Sequence, residues 1–390
     1  MWHYIVDTIP NECEDTVKRL PLVLTVLFAT FSLLACDSSD AKPTATSGAS
    51  TQPSASAAAS PAPTIAVTNA PAGPATFHVL AGRNDGNRDV EAYMPADIKI
   101  RVGDTIEWTA RGIEGHTITF GDGDDVLFKL GDYLVPNPAD PTERIFNPKV
   151  ALRSVKQGPH DGSNTFITSG FIGVPAEQTY SLTFEKAGLY SYLCLVHPFT
   201  MTGTVSVEPA ATQVDSPATV SARGQAELTK YMAALADEGR RLNDNARSAP
   251  GPGATTTHYV QVGAITDQGQ MALYAPGVLD ISSGDTVIFQ NDDRNFHNVI
   301  FKGSGELPSG IGIITDPDGR GLNFSLANAS ARFVDPPSGG FDESTFLSSG
   351  SMGVLQPRLT WTLRFTKPGT YVYACTIHVL GGMTGVINVM

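Results

Sequence analysis

Alternation of apolar and polar residues is the dominant signal along this chain. Tyr180-Ser181-Leu182-Thr183-Phe184 and Trp361-Thr362-Leu363-Arg364-Phe365 put every second side chain on one face, the period of a half-buried strand. Each is followed by a turn (Lys186-Ala187-Gly188 or Lys367-Pro368-Gly369) and by another strand that runs into a cysteine. Gly203-Thr204-Val205-Ser206-Val207 and Gly385-Val386-Ile387-Asn388-Val389 supply the next strand in each set, so both sets predict a β-sandwich with a loop joining two strands at one end. Between the sets the period changes. From Gln225 to Ser248, Leu228, Met232, Leu235 and Leu242 fall on one side of a helix, with Glu227, Asp237, Glu238 and Arg240 elsewhere. This stripe predicts a helix packed on a domain, with a partner-binding helix as the alternative. Pro250-Gly251-Pro252-Gly253 marks the end of the linker.

The two sets are an internal duplication. Tyr93, Pro95 and Gly103-Asp104-Thr105 return as Tyr274, Pro276 and Gly284-Asp285-Thr286 at a shift of 181, and Thr165 to Gly170 returns as Thr345 to Gly350 at a shift of 180. Two homologous domains follow, at 75–209 and 255–390, joined by a linker at 210–254 that contains the helix.

The start of the chain reads as targeting. Lys18 and Arg19 precede an apolar run from Leu20 to Ala35, which is shorter than the ~20 residues of a spanning helix. Its end, Leu33-Leu34-Ala35-Cys36, resembles a bacterial lipobox. That resemblance implies a lipoprotein signal peptide at 1–36, a lipidated Cys36, and an extracytoplasmic protein anchored to the membrane. Residues 1 to 16 carry four acidic residues and no Lys or Arg, which is unusual ahead of a signal peptide and makes a start near Val17 the alternative. Residues 37–74 are mostly Ala, Ser, Thr and Pro. With so little apolar surface to offset ordering entropy, they predict a disordered tether.

Composition narrows the function. A net charge of -13 without any Lys/Arg block excludes nucleic acid, whose binding depends on basic contacts to phosphate. The acidic surface favours basic partners or serves solubility. Of the four cysteines, Cys13 and Cys36 fall in the leader, leaving Cys194 and Cys375, one in each half.

Each of these cysteines opens a short loop, Cys194-x2-His197-x3-Met201 and Cys375-x2-His378-x4-Met383. A further histidine, His116 or His297, lies 78 residues upstream at the head of an apolar alternation. One thiolate, two imidazoles and a thioether are the ligands of a trigonal copper site with a long axial bond, the kind that carries electrons. A disulfide between the two cysteines and core-filling methionines are the bland alternatives. His78 and His258 are 180 apart in a region aligned at 181, so they are expected on opposite strand faces, not in a shared site.

Both halves resemble cupredoxins of the plastocyanin and amicyanin type. Phe296-His297-Asn298-Val299-Ile300-Phe301 and the second loop have the plastocyanin pattern. The first loop is one residue shorter, and its His197-Pro198-Phe199 is similar to amicyanin. The resemblance implies an all-β protein of two tandem Greek-key sandwiches, with two type 1 coppers held by His116, Cys194, His197 and Met201, and by His297, Cys375, His378 and Met383. It also implies an apolar patch at the loop histidines, beside Pro198 and Phe199 or Val379 and Leu380, where redox proteins such as a cytochrome or a membrane electron-transfer complex dock. Compared with the family, each half carries an extra stretch, around 121–165 and 302–344, that reads either as a surface elaboration or as a lid or docking surface.

The expected function is electron transfer between redox partners, without catalysis. A two-domain copper nitrite reductase or multicopper oxidase is the enzymatic alternative. Such enzymes need further histidines, usually beside the cysteine and in His-x-His pairs. Here the cysteine neighbours are Leu193, Leu195, Ala374 and Thr376, and only His3, His78, His160 and His258 remain. Copper storage or delivery is a third reading.

Overall fold

The computed structural model describes residues 73–121, 134–141, 143–154, 158–163, 166–292, 295, 297–308, 310–326, 332–353 and 358–390. The expected signal peptide with Cys36, and the tether up to residue 72, lie outside the described residues. Among the described residues no helix is long and apolar enough to cross a membrane.

The alternating segments become strands, and each half is a two-sheet sandwich. In the first half, Thr76–Asp85, Arg88–Met94, Thr105–Arg111 and Gln178–Thr183 form one sheet, and Asp97–Arg101, Thr202–Glu208, Gly188–Leu193, Thr119–Phe120 and Ile167–Thr168 form the other. The second half repeats this with Thr256–Thr266, Gly269–Ala275, Thr286–Gln290 and Thr360–Arg364 against Val278–Ile281, Thr384–Val389, Gly369–Ala374, Ile300–Phe301 and Leu347–Ser348. The chain changes sheet at the Gly-Asp-Thr corner. Asp104 accepts hydrogen bonds from the N–H groups of Ala75 (2.7 Å) and Arg101 (2.8 Å), and Asp285 from those of Thr256 (2.7 Å) and Ser282 (2.9 Å).

Inward-facing aromatics fill the space between sheets. Trp108 lies directly opposite Tyr180 on the neighbouring strand, and the repeat-equivalent pair is Phe289 opposite Trp361. The large indole has changed strand between the halves while the pair's combined bulk is kept, the kind of exchange a close-packed core tolerates best.

The two halves share one sheet. Gly269–Ala275 pairs antiparallel with Arg88–Met94 through Gly269 with Val90, Gln270 with Asp89 and Met271 with Arg88, which makes a continuous nine-stranded sheet. Asp89 and Gln270 are equivalents at the 181 shift, so the join has the self-complementary form of a two-fold interface.

The long helix, Pro217–Asp244, crosses this join. Ser216 caps it by accepting from the Thr219 N–H at 3.2 Å, and Pro217 occupies the first turn, where its missing N–H costs nothing. It therefore begins eight residues before the expected Gln225, because the cap lies ahead of the visible apolar stripe. It also ends before Ser248: Arg247–Pro250 turns back as a strand on Thr256–Thr266. Leu228, Met232, Leu235 and Leu242 pack with Val90, Met94, Met271 and Leu273 from both halves. The helix is thus a clamp across the duplication.

The extra stretches also pair with each other. Leu134–Pro136 and Arg144–Phe146 of the first half join Ile311–Thr315 and Leu322–Leu326 of the second in a four-stranded sheet. Phe324 packs against Phe146 and Phe171, with ring centroids 6.5 and 5.1 Å away.

Because fully buried Leu235 touches both halves, Leu235→Ala is expected to cost about 2–5 kcal/mol of stability in chemical denaturation. Burial pushes the Asp285 carboxyl up, but the Thr256 and Ser282 N–H groups and the His258 ring outweigh it and hold it below its ordinary value of 3.8. A depressed carboxylate stabilises the fold above that pH and loses its contribution as pH falls. Asp285→Asn is therefore expected to be less stable by about 1–3 kcal/mol near neutrality, with a shallower loss of stability below pH ~4, read from denaturation midpoints against pH.

Candidate metal centres

Each candidate site is built from one residue after an inner strand and a loop that closes on itself. His116 exchanges backbone hydrogen bonds with Ile172 in both directions at 2.9 Å, and His297 does so with Met352 at 3.1 and 2.8 Å. Cys194 follows strand Gly188–Leu193 and its N–H donates to the Met201 carbonyl at 2.9 Å, while the Met201 N–H donates to the His197 carbonyl at 2.9 Å. In the second loop the Cys375 N–H donates to the Met383 carbonyl at 3.0 Å. The extra residue there is taken up by a 3-10 turn, Val379–Gly381, and by Gly382 at φ 81°. Both methionines are fully buried, each in the core cluster of its own half.

The structure brings the predicted histidines and cysteines together. Ligand atoms of His116, Cys194 and His197 lie within 4.8 Å of one another, as do those of His297, Cys375 and His378. The Nδ1 atoms of His297 and His378 are 3.0 Å apart, and Cys375 Sγ is 3.6 Å from His378 Nδ1. In the first half Cys194 Sγ is 3.8 Å from His197 Nδ1. Buried His116 Nδ1 has no hydrogen-bond partner, an arrangement that is costly unless something else satisfies it. Lone pairs converging on a sulfur, with a buried orphan among them, fit a metal that prefers thiolate and imidazole, as copper does.

The thiols are primed as ligands. Burial pushes the Cys375 thiol up, but His297 and His378 outweigh it and bring it down to about 5. In the same way, the His116 and His197 rings overcome burial and hold Cys194 well below the ordinary thiol range. Thiolate is the metal-binding form. Both cysteines are free, which sets aside the disulfide alternative.

Outer residues hold these groups in place. The Thr117 N–H donates to Cys194 Sγ at 3.3 Å, and the Thr117 hydroxyl accepts from the Leu195 N–H at 2.8 Å. Asn298, its equivalent, accepts from the Thr376 N–H at 2.9 Å and donates to the Thr376 hydroxyl at 2.9 Å. The shared Thr-Phe-x-x-Ser-Gly motif acts here too. Ser169 and Ser349 accept from the N–H groups of Ile118 and Val299, at 2.9 and 2.8 Å, just beyond the upstream histidines.

Sequence reasoning missed two groups of residues. Gly82 and Gly263, both at φ 76°, sit at bulges over the upstream histidines, where an added Cβ would lie 2.2 Å from His116 Nε2 or 2.1 Å from His297 Nε2. Their 181 spacing was the signal that could have found them. The second group is acidic and has no such signal. Glu114 lies 3.1 Å from His197 Nε2 and 2.6 Å from His378 Nε2, and Glu91 approaches His197 Nε2 at 3.6 Å.

The loop histidines therefore do not face solvent, as the resemblance implies. His378 is 2% exposed and His197 9%, each turned toward the other half, although Phe199 remains 72% exposed. The cause is the edge-to-edge join, which sets the two loops against each other. Three other histidines sit elsewhere. His78 pairs with Glu107 at 3.2 Å, His258 with Asp285 at 3.2 Å, and buried His160 stacks on Phe184.

Comparison with known proteins assigns both halves to one family. The family model described as "Copper binding proteins, plastocyanin/azurin family" matches twice, at residues 80–208 and 260–390. The chain is 28% identical to amicyanin from Paracoccus denitrificans over 116 residues, which are 30% of this chain and 58% of that protein. It is 26% identical to chloroplastic plastocyanin from Pisum sativum over 181 residues, 46% of this chain and 88% of that one. Plastocyanin from Prochlorothrix hollandica is 30% identical over 142 residues, 36% and 78% of the two chains. The solved oxidized plastocyanin from Dryopteris crassirhizoma aligns at 20% identity and a TM-score of 0.19, over 34% of this chain and 99% of that one. With the family's domain matched over both of its halves, this chain belongs to the plastocyanin/azurin family of copper binding proteins.

Proposed function

We propose that this protein is an electron carrier with two type 1 copper centres, one held by His116, Cys194, His197 and Met201 and the other by His297, Cys375, His378 and Met383. It works outside the cytoplasmic membrane, tethered through lipidated Cys36 and residues 37–74, and passes single electrons between redox proteins such as a cytochrome or a membrane complex. The domains carrying the centres span 75–209 and 255–390. The observation that carries this reading is the convergence, in both halves, of two imidazoles and one thiolate, with the loop methionine fully buried in the same core cluster as the cysteine. The amicyanin and plastocyanin relatives support it.

Bound copper supplies the one-electron chemistry. The protein supplies rigidity and tuning. The two ends of each ligand loop are hydrogen-bonded to each other, Cys194 to Met201 and Cys375 to Met383, so the donor atoms move little when charge changes. The Thr117 N–H removes electron density from the Cys194 sulfur, and the apolar core around each site excludes water.

Purified protein is expected to hold two coppers per chain with strong thiolate-to-copper absorption. Cys194→Ser and Cys375→Ser should each remove one copper and roughly half of the band. One copper per chain, with a band indifferent to Cys194→Ser, would remove the first centre from the assignment. Gly263→Ala should push into His297 and weaken copper retention at the second centre by about tenfold or more, measured by competition with a chelator, while leaving the first centre's band in place.

A further inference from the structure

The two candidate centres face one another across the join, and one side chain spans the gap between them. Glu114 precedes His116 by two residues in the first half. Its Oε2 lies 3.1 Å from Nε2 of His197 in the same half, and its Oε1 lies 2.6 Å from Nε2 of His378 in the other. Both imidazoles direct Nδ1 at their own cysteine sulfur, at 3.8 and 3.6 Å. An imidazole that ligates through Nδ1 carries its proton on Nε2, so each ring donates outward to Glu114. A carboxylate that accepts one charge-assisted bond on each oxygen is fixed in orientation by both loops at once.

This arrangement is specific to the join. The position equivalent to Glu114 in the second half is Asn295, whose amide instead donates to Gln270 at 2.8 Å. One carboxylate therefore serves two histidines, and among the described residues the bridge has no second copy. The connection runs ring to carboxylate to ring, entirely through covalent bonds and two hydrogen bonds. Ile113, beside Glu114, packs against the core of the second half, and a Cβ added to Gly381 of that half's ligand loop would lie 3.2 Å from Ile113 Cδ1.

We propose that the two coppers exchange an electron within one chain along His197, Glu114 and His378, so that the protein acts as an internal relay and not as two independent carriers. The proposal rests on the copper assignment of both sites. In the exchange one centre passes from Cu(I) to Cu(II) as the other passes from Cu(II) to Cu(I). Both Nε2 protons stay on their rings, and no external oxidant, reductant or proton donor takes part. Glu114 is a positioning residue: it orients both rings and raises the electron density of both, so it also ties the two reduction potentials to a single side chain.

The test uses full-length protein with both coppers bound, given less than one electron per chain by a rapidly photogenerated reductant. The distribution of that electron is then followed in the thiolate-to-copper bands. Single-site Cys194→Ser and Cys375→Ser proteins identify which band belongs to which centre. The expected result is a re-equilibration phase whose rate does not change with protein concentration. Glu114→Gln, which keeps the shape but loses the charge and one acceptor oxygen, should slow that phase by about tenfold or more and raise both potentials. A purely structural role for Glu114 would leave both potentials unmoved. Exchange that accelerates in proportion to protein concentration overturns the relay, as does an unchanged rate in both Glu114→Gln and Glu114→Ala when both bands are intact. If the wild-type protein lacks either band, the copper assignment itself fails, and this outcome is distinct from a failed relay.

Discussion

Three residue pairs between Arg88–Met94 and Gly269–Ala275 orient everything else in this molecule. A strand presents alternate side chains to opposite faces, so its register against a neighbour decides what each half shows to the other. The pairing of Asp89 with its own equivalent, Gln270, makes the contact self-complementary. Whatever lies beside this strand in one half is thereby brought toward its counterpart in the other. Both ligand loops lie on that side, with Glu114 between His197 of one and His378 of the other. The same pairing consumes two sheet edges that would otherwise present open backbone to other chains. Gly269 permits the approach, because a Cβ there would lie 2.4 Å from the Asp89 carbonyl.

A contact between equivalent surfaces doubles any charge it buries, and burying unpaired carboxylates is costly. The halves have diverged in a way that avoids this. Asp89, Glu91 and Glu114 of the first half are replaced by Gln270, Ala272 and Asn295 at the matching positions of the second. One set of acids remains, each near an N–H group: Asp89 accepts from the Ile113 N–H at 2.9 Å, Glu114 accepts from two rings, and Glu91 approaches one of them. Burial still pushes the Asp89 carboxyl up to about 7. The asymmetry makes the two metal environments unequal, beyond the one-residue difference in loop length.

The added stretches follow from the same geometry. A lone pair of short strands is marginal in water, and each half contributes only two. Joined, they make four, with Phe324 of the second half packed on Phe146 and Phe171 of the first. The Asn323 amide donates to the Phe146 carbonyl at 2.8 Å, and the Arg153 N–H donates to the Arg320 carbonyl at 3.0 Å. These pieces are a second seam between the halves, alongside the helix Pro217–Asp244.

The strands, the duplication and the eight ligand candidates were legible because each leaves a local trace. Tyr180 and Leu182 point inward because residues two apart share a face. Cys194, His197 and Met201 lie close because a loop of that length closes between two hydrogen-bonded strands. The helix was visible only where its apolar stripe ran, so its capped first turns at Ser216 and Pro217 escaped notice. The sequence by itself determined what each half is and which side chains it offers to a metal, since period, loop length and repeat spacing are short-range properties. Tertiary structure alone decided that the two loops would face each other, that the histidine edges would be buried, and that Glu114 would join them. The hydrogen bond from His378 to Glu114 spans 264 positions, and contacts that distant are set by how finished sheets pair, which no local pattern encodes.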